Sequence, residues 1–162
     1  MTNADFSAVI PAPFGAIGIV SRDGFLLACE LLSDSLEEKI ATDVFTQSVV
    51  NQMTAYLANA QTPLHSPYAV QGTAFQKRVW QAISSIPCGQ VLNYTQLADK
   101  VGSGPRAVAN ACGANHVTLF IPCHRVVAKL NAHKNSLGGF MQGHANGLSI
   151  KQWLLAHEGV VL

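Results

Sequence analysis

The stretch Tyr94-Thr95-Gln96-Leu97-Ala98-Asp99-Lys100-Val101-Gly102-Ser103-Gly104-Pro105-Arg106 restricts the folds open to this chain more than any other. Leu97, Ala98 and Val101 share the inner face of a helix begun at Tyr94, and Gly102 stops it. Ser103 and Gly104 are caps for the next helix, Pro105 suits its first position, and it runs from Arg106 to Ala114. Helix, short glycine turn, helix is the helix-turn-helix pattern. Ahead of it, Phe75, Val79, Ile83 and Ile86 predict another helix that ends at Pro87-Cys88-Gly89.

The helix from Arg106 carries Ala107, Ala109, Ala111, Cys112 and Gly113, too short to reach base edges in a major groove. A minor groove only about 6 Å wide admits a helix surface of this kind. The alternative is a buried helix packed through its alanines, against which Arg106 stands at the exposed start. Charge favours an anionic partner for this part of the chain. Residues 71–162 hold eight lysines and arginines against Asp99 and Glu158, whereas residues 1–70 hold Arg22 and Lys39 against seven carboxylates.

Further on, Ile121-Pro122-Cys123-His124-Arg125-Val126-Val127 sets a thiol beside an imidazole and a guanidinium. Pro122 pushes Ile121 into an extended conformation, so the segment reads as a strand or turn presenting Cys123. A free thiol with a pKa of about 8.5 needs a base or cation nearby to become a nucleophile, and His124 and Arg125 are the neighbours in sequence. A core cysteine in a buried strand is the other reading of the bare segment.

In the first half, Ile17-Gly18-Ile19-Val20 and Phe25-Leu26-Leu27-Ala28-Cys29 flank Asp23-Gly24, a hairpin signal. Caps at 33–35 and the helical spacing of Ile40, Val44, Phe45, Val49 and Met53 predict a helix reaching about Ala60. Residues 61–69, with Pro63, His65 and Pro67, read as linker. The division expected is residues 1–70 as a structural α/β domain with its linker and 71–162 as the functional domain. No apolar run reaches the roughly 18 residues of a membrane span, and the first residues lack a basic leader, so cytoplasmic residence is expected. Cys29, Cys88, Cys112 and Cys123 form no CxxC, which argues against a zinc site or redox dithiol.

Together, Gly72-Thr73-Ala74-Phe75-Gln76, Val79-Trp80, Ile86-Pro87, Tyr94, Arg106-Ala107-Val108, Asn115, the cysteine heptapeptide, Leu137-Gly138-Gly139-Phe140 and Trp153-Leu154-Leu155-Ala156-His157-Glu158-Gly159 resemble the methylated-DNA–protein-cysteine methyltransferases, or O6-alkylguanine-DNA alkyltransferases. The resemblance covers all of 71–162 and is looser before it, through Pro13-Phe14-Gly15 and the hairpin. It implies an α/β protein, with an N-terminal ribonuclease-H-like domain and a C-terminal, mostly helical winged helix-turn-helix domain. It also implies direct-reversal repair: single-turnover transfer of an alkyl group from O6-alkylguanine in double-stranded DNA to Cys123, after base flipping through the minor groove. O4-alkylthymine is a second candidate substrate.

By the same resemblance His124 is the base, reaching Cys123 through a water and oriented by Glu158. Tyr94 assists at the guanine ring and its phosphate, and Arg106 fills the gap left by the flipped base. Ala107, Ala109 and Arg125 join Arg106 and Tyr94 at the DNA, and Asn115 braces the site as a hydrogen-bonding hinge. Val126 belongs to the substrate pocket, its carbonyl and that of Cys123 accepting from the guanine amino group. Phe140 and Met141 line that pocket, and Lys151 matches a family lysine close to it, with a solvated helix lysine as the alternative. No cofactor, metal or membrane is implied; the protein would act as a monomer, with cooperativity on DNA left open. His116 departs from the proline the family has after its asparagine, and segments 128–136 and 142–147 are longer than usual. The rivals are a cysteine hydrolase and a non-enzymatic sensor of alkyl lesions, the latter opposed by Cys123.

Overall fold

The computed structural model describes residues 2–129, 135–138 and 146–161. They form an α/β structure of two units, residues 1–70 with 116–120 and residues 71–115 with 121–162. Among the described residues no helix is long and apolar enough to cross a membrane.

In the first unit β1 (Ala8–Ala12), β2 (Gly15–Arg22) and β3 (Phe25–Leu32) make an antiparallel meander. Asp23 and Gly24 both take positive φ, 52° and 78°, as the two-residue turn between β2 and β3 requires. Phe6, Val9 and Ala16 form one buried cluster with Val20, Leu32 and Leu36 packed against it. Helix α1 (Val44–Ala58) packs on β1 and β2 and buries Thr46, Val49, Met53 and Tyr56.

Hydrophobic spacing placed Ile40 and Val44 on the buried face of that helix, but they are 74% and 89% exposed. The cause is a cap. Asp43 accepts from the Thr46 backbone N–H at 2.8 Å and from its hydroxyl at 2.7 Å, which starts α1 at Val44. Upstream, Lys39 exchanges backbone hydrogen bonds with Val9 at 3.1 Å and is not helical. Residues 61–69 are also more than a linker, because Leu26 donates to Pro67 O and accepts from Ala69 N–H, at 2.9 and 3.0 Å. The reading of 71–162 as one uninterrupted domain missed the return of 116–120 to the first unit. There Cys29 N–H donates to His116 O at 2.9 Å and the Thr118 hydroxyl donates to Cys29 O.

The second unit begins with α2 (Ala74–Ser84), whose first turn is closed by reciprocal hydrogen bonds between Thr73 and Gln76. Helices α3 (Tyr94–Val101) and α4 (Pro105–Gly113) are joined by residues 102–104. Helices α2, α3 and α4 pack on one another and bury Val79, Trp80 and Ile83, Leu97 and Ala98, and Val108 and Ala111 respectively. The Trp80 indole N–H donates to Ala111 O at 2.8 Å in the last turn of α4, a carbonyl that also accepts from Ala114 N–H at 3.3 Å. β4 (Leu92–Asn93) runs parallel to β5 (Val126–Lys129), which pairs antiparallel with β6 (Asn135–Ser136). Asn93 both pairs with Val127 and caps α3, so the start of that helix, Tyr94, is held beside β5. Helix α5 (Gly147–His157) packs on the short 3-10 turn Cys123–Arg125.

Candidate active site

The turn Cys123–Arg125 is tight enough that its three side chains point in different directions. Cys123 meets the end of α4, whereas His124 and Arg125 both meet Glu158 at the end of α5. Cys123 Sγ lies 3.0 Å from Asn115 Nδ2, which also donates to Ile121 O at 3.0 Å. On another side Sγ is 3.6 Å from Cys112 O at the end of α4. Lys151 of α5 is fully buried, its Nζ donating to Val126 O at 2.6 Å.

His124, 1% exposed, sends Nε2 to 2.9 Å from Glu158 Oε2. The separation suits a hydrogen bond but the angle does not, so the contact is chiefly electrostatic between a buried ring and a carboxylate. His124 Nδ1 has no hydrogen-bond partner among the described residues. Arg125 binds the same carboxylate bidentately, Nε to Oε1 at 2.9 Å and Nη2 to Oε2 at 3.0 Å, and its Nη1 donates to Ile86 O at 2.7 Å.

These contacts set the acidities. Cys123 is held below the usual thiol range, first by the Cys112 side chain; burial opposes this, while Asn115 and Lys151 add to it. The other three thiols are raised: Cys29 to about 12 by burial, Cys88 chiefly by burial, and Cys112 by the Cys123 side chain and by burial. Cys123 is thus the one cysteine of the four placed to be a thiolate. Burial pushes Lys151 down to about 8, with the two thiols pulling it back up. Glu158 is raised by burial but held well below the usual carboxylate range by His124 and Arg125. Burial lowers His124 despite Glu158, which keeps the imidazole neutral.

Tyr94 is half-buried, with Gly138 against its ring; a Cβ on Gly138 would come within 3.0 Å of Tyr94 Cε2. Gly138 has φ of 68°, so glycine serves both the backbone and the close approach. On α4, Arg106 is exposed, and Ala107 and Ala109 are half-buried, either side of buried Val108. Phe140 and Met141 lie outside the described residues, as do His133, Lys134 and His144 of the two longer segments. Among the described residues no group of His, Cys, Asp or Glu could hold a metal ion.

The family model described as 6-O-methylguanine DNA methyltransferase, DNA binding domain, matches residues 74–160. The chain belongs to this family. It is 32% identical to the methylated-DNA–protein-cysteine methyltransferase of Methanosarcina mazei over 157 residues, 93% of this chain and 94% of that protein. It is 42% identical over 118 residues to the bifunctional transcriptional activator/DNA repair enzyme Ada of Escherichia coli, covering 72% of this chain and 31% of Ada. The chain spans only about half, or less, of the length of several curated relatives it matches. The crystal structure of Mycobacterium tuberculosis OGT in complex with DNA superposes with a TM-score of 0.75 at 29% identity, covering 93% of this chain and 90% of that one.

Three expectations for this methyltransferase-family site change with the geometry. The groups against the sulfur are not its neighbours in sequence: Asn115 Nδ2 and Cys112 O approach Cys123 Sγ and Lys151 favours its thiolate, while His124 and Arg125 turn to Glu158. Arg125, expected at the DNA, directs its guanidinium to Glu158 and Ile86 O, because on the turn it points away from Cys123. Val126 O, expected to receive the guanine amino group, already accepts from Lys151, though a carbonyl has a second lone pair to offer. Cys112 was missed as a site residue. The signal for it was its place three residues before Asn115, one helical turn from a side chain already assigned to the site.

Proposed function

We propose that this chain removes alkyl groups from O6-alkylguanine in double-stranded DNA by transferring them, once per molecule, to Cys123. The observation that carries the reading is the Cys123 sulfur, lowered in pKa while the other three thiols are raised, in a chain of the methyltransferase family. Displacement at the alkyl carbon forms a carbon–sulfur bond and breaks the carbon–O6 bond, whose electron pair passes to the guanine. A thiolate is needed on one side and a donor to the departing guanine on the other. Cys123 supplies the first and the Tyr94 hydroxyl the second. His124 takes the thiol proton through water at Nδ1, the nitrogen left over by Glu158. Arg125 fixes the carboxylate that orients His124.

The alkylated base sits inside the stack, and extruding it costs a few kcal/mol, less for a poorly paired lesion. Exposed Arg106 replaces the lost stacking, and Ala107 and Ala109 let α4 lie in the minor groove. On this reading the second unit is a winged helix-turn-helix domain with Asn115 as its hinge to Cys123, and the first is a ribonuclease-H-like structural domain. Phe140 and Met141 complete the pocket wall. The protein acts as a monomer, without a cofactor, wherever the cell keeps its DNA. The thioether product has no leaving group that these residues could displace, so the protein is consumed.

Incubation with a duplex whose O6-methylguanine methyl is radiolabelled tests the reading. One equivalent of label should enter the protein and none should enter Cys123→Ser, which should still bind the duplex. Label accumulating in solution over many turnovers would point to hydrolysis, and binding without transfer by the unaltered chain to a lesion sensor; either overturns the proposal.

A further inference from the structure

Lys151 lies wholly buried on α5, where a cation withdrawn from water has to be met by acceptors of the protein. Its Nζ donates to Val126 O at 2.6 Å, at the head of β5. Three residues back, the Cys123 carbonyl is engaged as well, because the Val126 N–H donates to it where the turn closes. These are the two carbonyls expected to receive the amino group of guanine. Each already has a donor from the protein itself.

That bears on which bases the site can take. Where a substrate N–H is the sole partner of a buried acceptor, an analogue lacking the N–H leaves the acceptor unpaired, and such sites reject it by about 10⁴-fold or more. Neither carbonyl here is left in that state. Val126 is fully buried, so it is Lys151 rather than bulk water that keeps its carbonyl satisfied when no amino group is present. A guanine amino group can still add to the second lone pair of that oxygen, but an ammonium already holds the acceptor and its positive charge opposes the second donor. The amino group therefore contributes little.

We propose that Lys151 sets the base specificity of the site: by satisfying Val126 O from within, it makes the 2-amino group dispensable and admits O6-alkylated purines without one, of which O6-alkylhypoxanthine is the simplest. The displacement is the same for both bases. A carbon–sulfur bond forms at Cys123 as the carbon–O6 bond breaks, the electron pair stays on O6, and the proton given up by the thiol ends on the purine. Lys151 acts through the carbonyl and takes no part in these bonds. The inference rests on the proposed function, whose substrate range it widens.

Rates of methyl transfer would be compared for O6-methylguanine and O6-methylhypoxanthine, each in a duplex opposite an abasic position so that pairing strength does not enter, with the unaltered chain and with Lys151→Met. Methionine keeps an unbranched side chain without the donor. The unaltered chain should favour the guanine lesion by less than about tenfold, the size of one ordinary hydrogen bond. In Lys151→Met the amino group becomes the partner of Val126 O, and the preference should grow by about tenfold, within the roughly 5- to 150-fold that an unpaired buried acceptor costs. Loss of the ammonium that favours the Cys123 thiolate slows both lesions alike and cancels in the ratio. A larger preference in the unaltered chain overturns the inference whether or not the variant folds, and so does a ratio that Lys151→Met leaves unmoved. Transfer from neither lesion by the unaltered chain sinks the proposed function and this inference with it; transfer from O6-methylguanine alone leaves the function standing and removes only the inference.

Discussion

Asn115 Nδ2 stands 3.0 Å from Cys123 Sγ and 3.0 Å from Ile121 O, so one amide ties the end of α4 to both the nucleophile and the backbone that carries it. Asn115→Ala removes both contacts. A hydrogen bond to a charged group contributes about 1.5–3 kcal/mol, or roughly 10- to 150-fold in an equilibrium. Methyl transfer near neutral pH should fall by about that factor, and the inflection of its pH–rate curve should rise. A slower variant with an unmoved inflection would assign Asn115 to the fold alone.

Buried Glu158 meets both Arg125 and His124, and Glu158→Ala leaves the Arg125 guanidinium without its counter-charge and His124 without its carboxylate. Breaking a buried pair from one side costs about 3–5 kcal/mol, which urea unfolding at neutral pH would read directly. Loss below about 1 kcal/mol would class the pair with surface salt bridges.

The same cluster sets the acid limb of stability. His124 titrates lower folded than unfolded, so its contribution is present above the unfolded value of about 6.5 and declines as pH falls below it. Glu158 is also depressed, and its contribution is present above about 4.3 and lost as pH falls further. Urea midpoints should therefore fall in two stages. Glu158→Gln should lack the second, and a variant with the original acid slope would show that other carboxylates produce it.

Lys151 titrates at about 8 and its ammonium favours the Cys123 thiolate. Methyl transfer should rise as Cys123 deprotonates and decline above about pH 8 as Lys151 loses its proton. Lys151→Met should shift the rising limb to higher pH and abolish the decline. A bell that persists in the variant would assign the upper limb to another group.

Exposed Arg106 is the second residue of α4. Arg106→Ala should weaken repair of duplex DNA far more than reaction with free O6-methylguanine base, because the side chain acts on base extrusion. Equal loss on both substrates would place it in the displacement step or the fold.

Local chemistry was legible in the sequence where one residue type decides the backbone. Asp23-Gly24 announced its turn, Gly102 to Pro105 the break between α3 and α4, and Pro122 the presentation of Cys123. Hydrophobic spacing failed at Ile40 and Val44 because the Asp43 cap, a polar interaction, outweighs it. The partners of Cys123 were hidden for a different reason. The turn aims His124 and Arg125 at Glu158, and the groups that face the sulfur, Cys112 and Lys151, come from elements 11 and 28 residues away in the chain. The pairing of residues 116–118 with β3, between Asn115 and the cysteine, has no periodic signature because it spans three residues.

The most direct measurement is the intact mass of the protein after incubation with a duplex containing O6-methylguanine, followed by mapping of its four cysteine peptides. One methyl in place of one hydrogen is expected, on the peptide holding Cys123, with the peptides of Cys29, Cys88 and Cys112 unchanged and the guanine restored in the duplex. An unchanged mass, or the methyl on any cysteine other than Cys123, would contradict it.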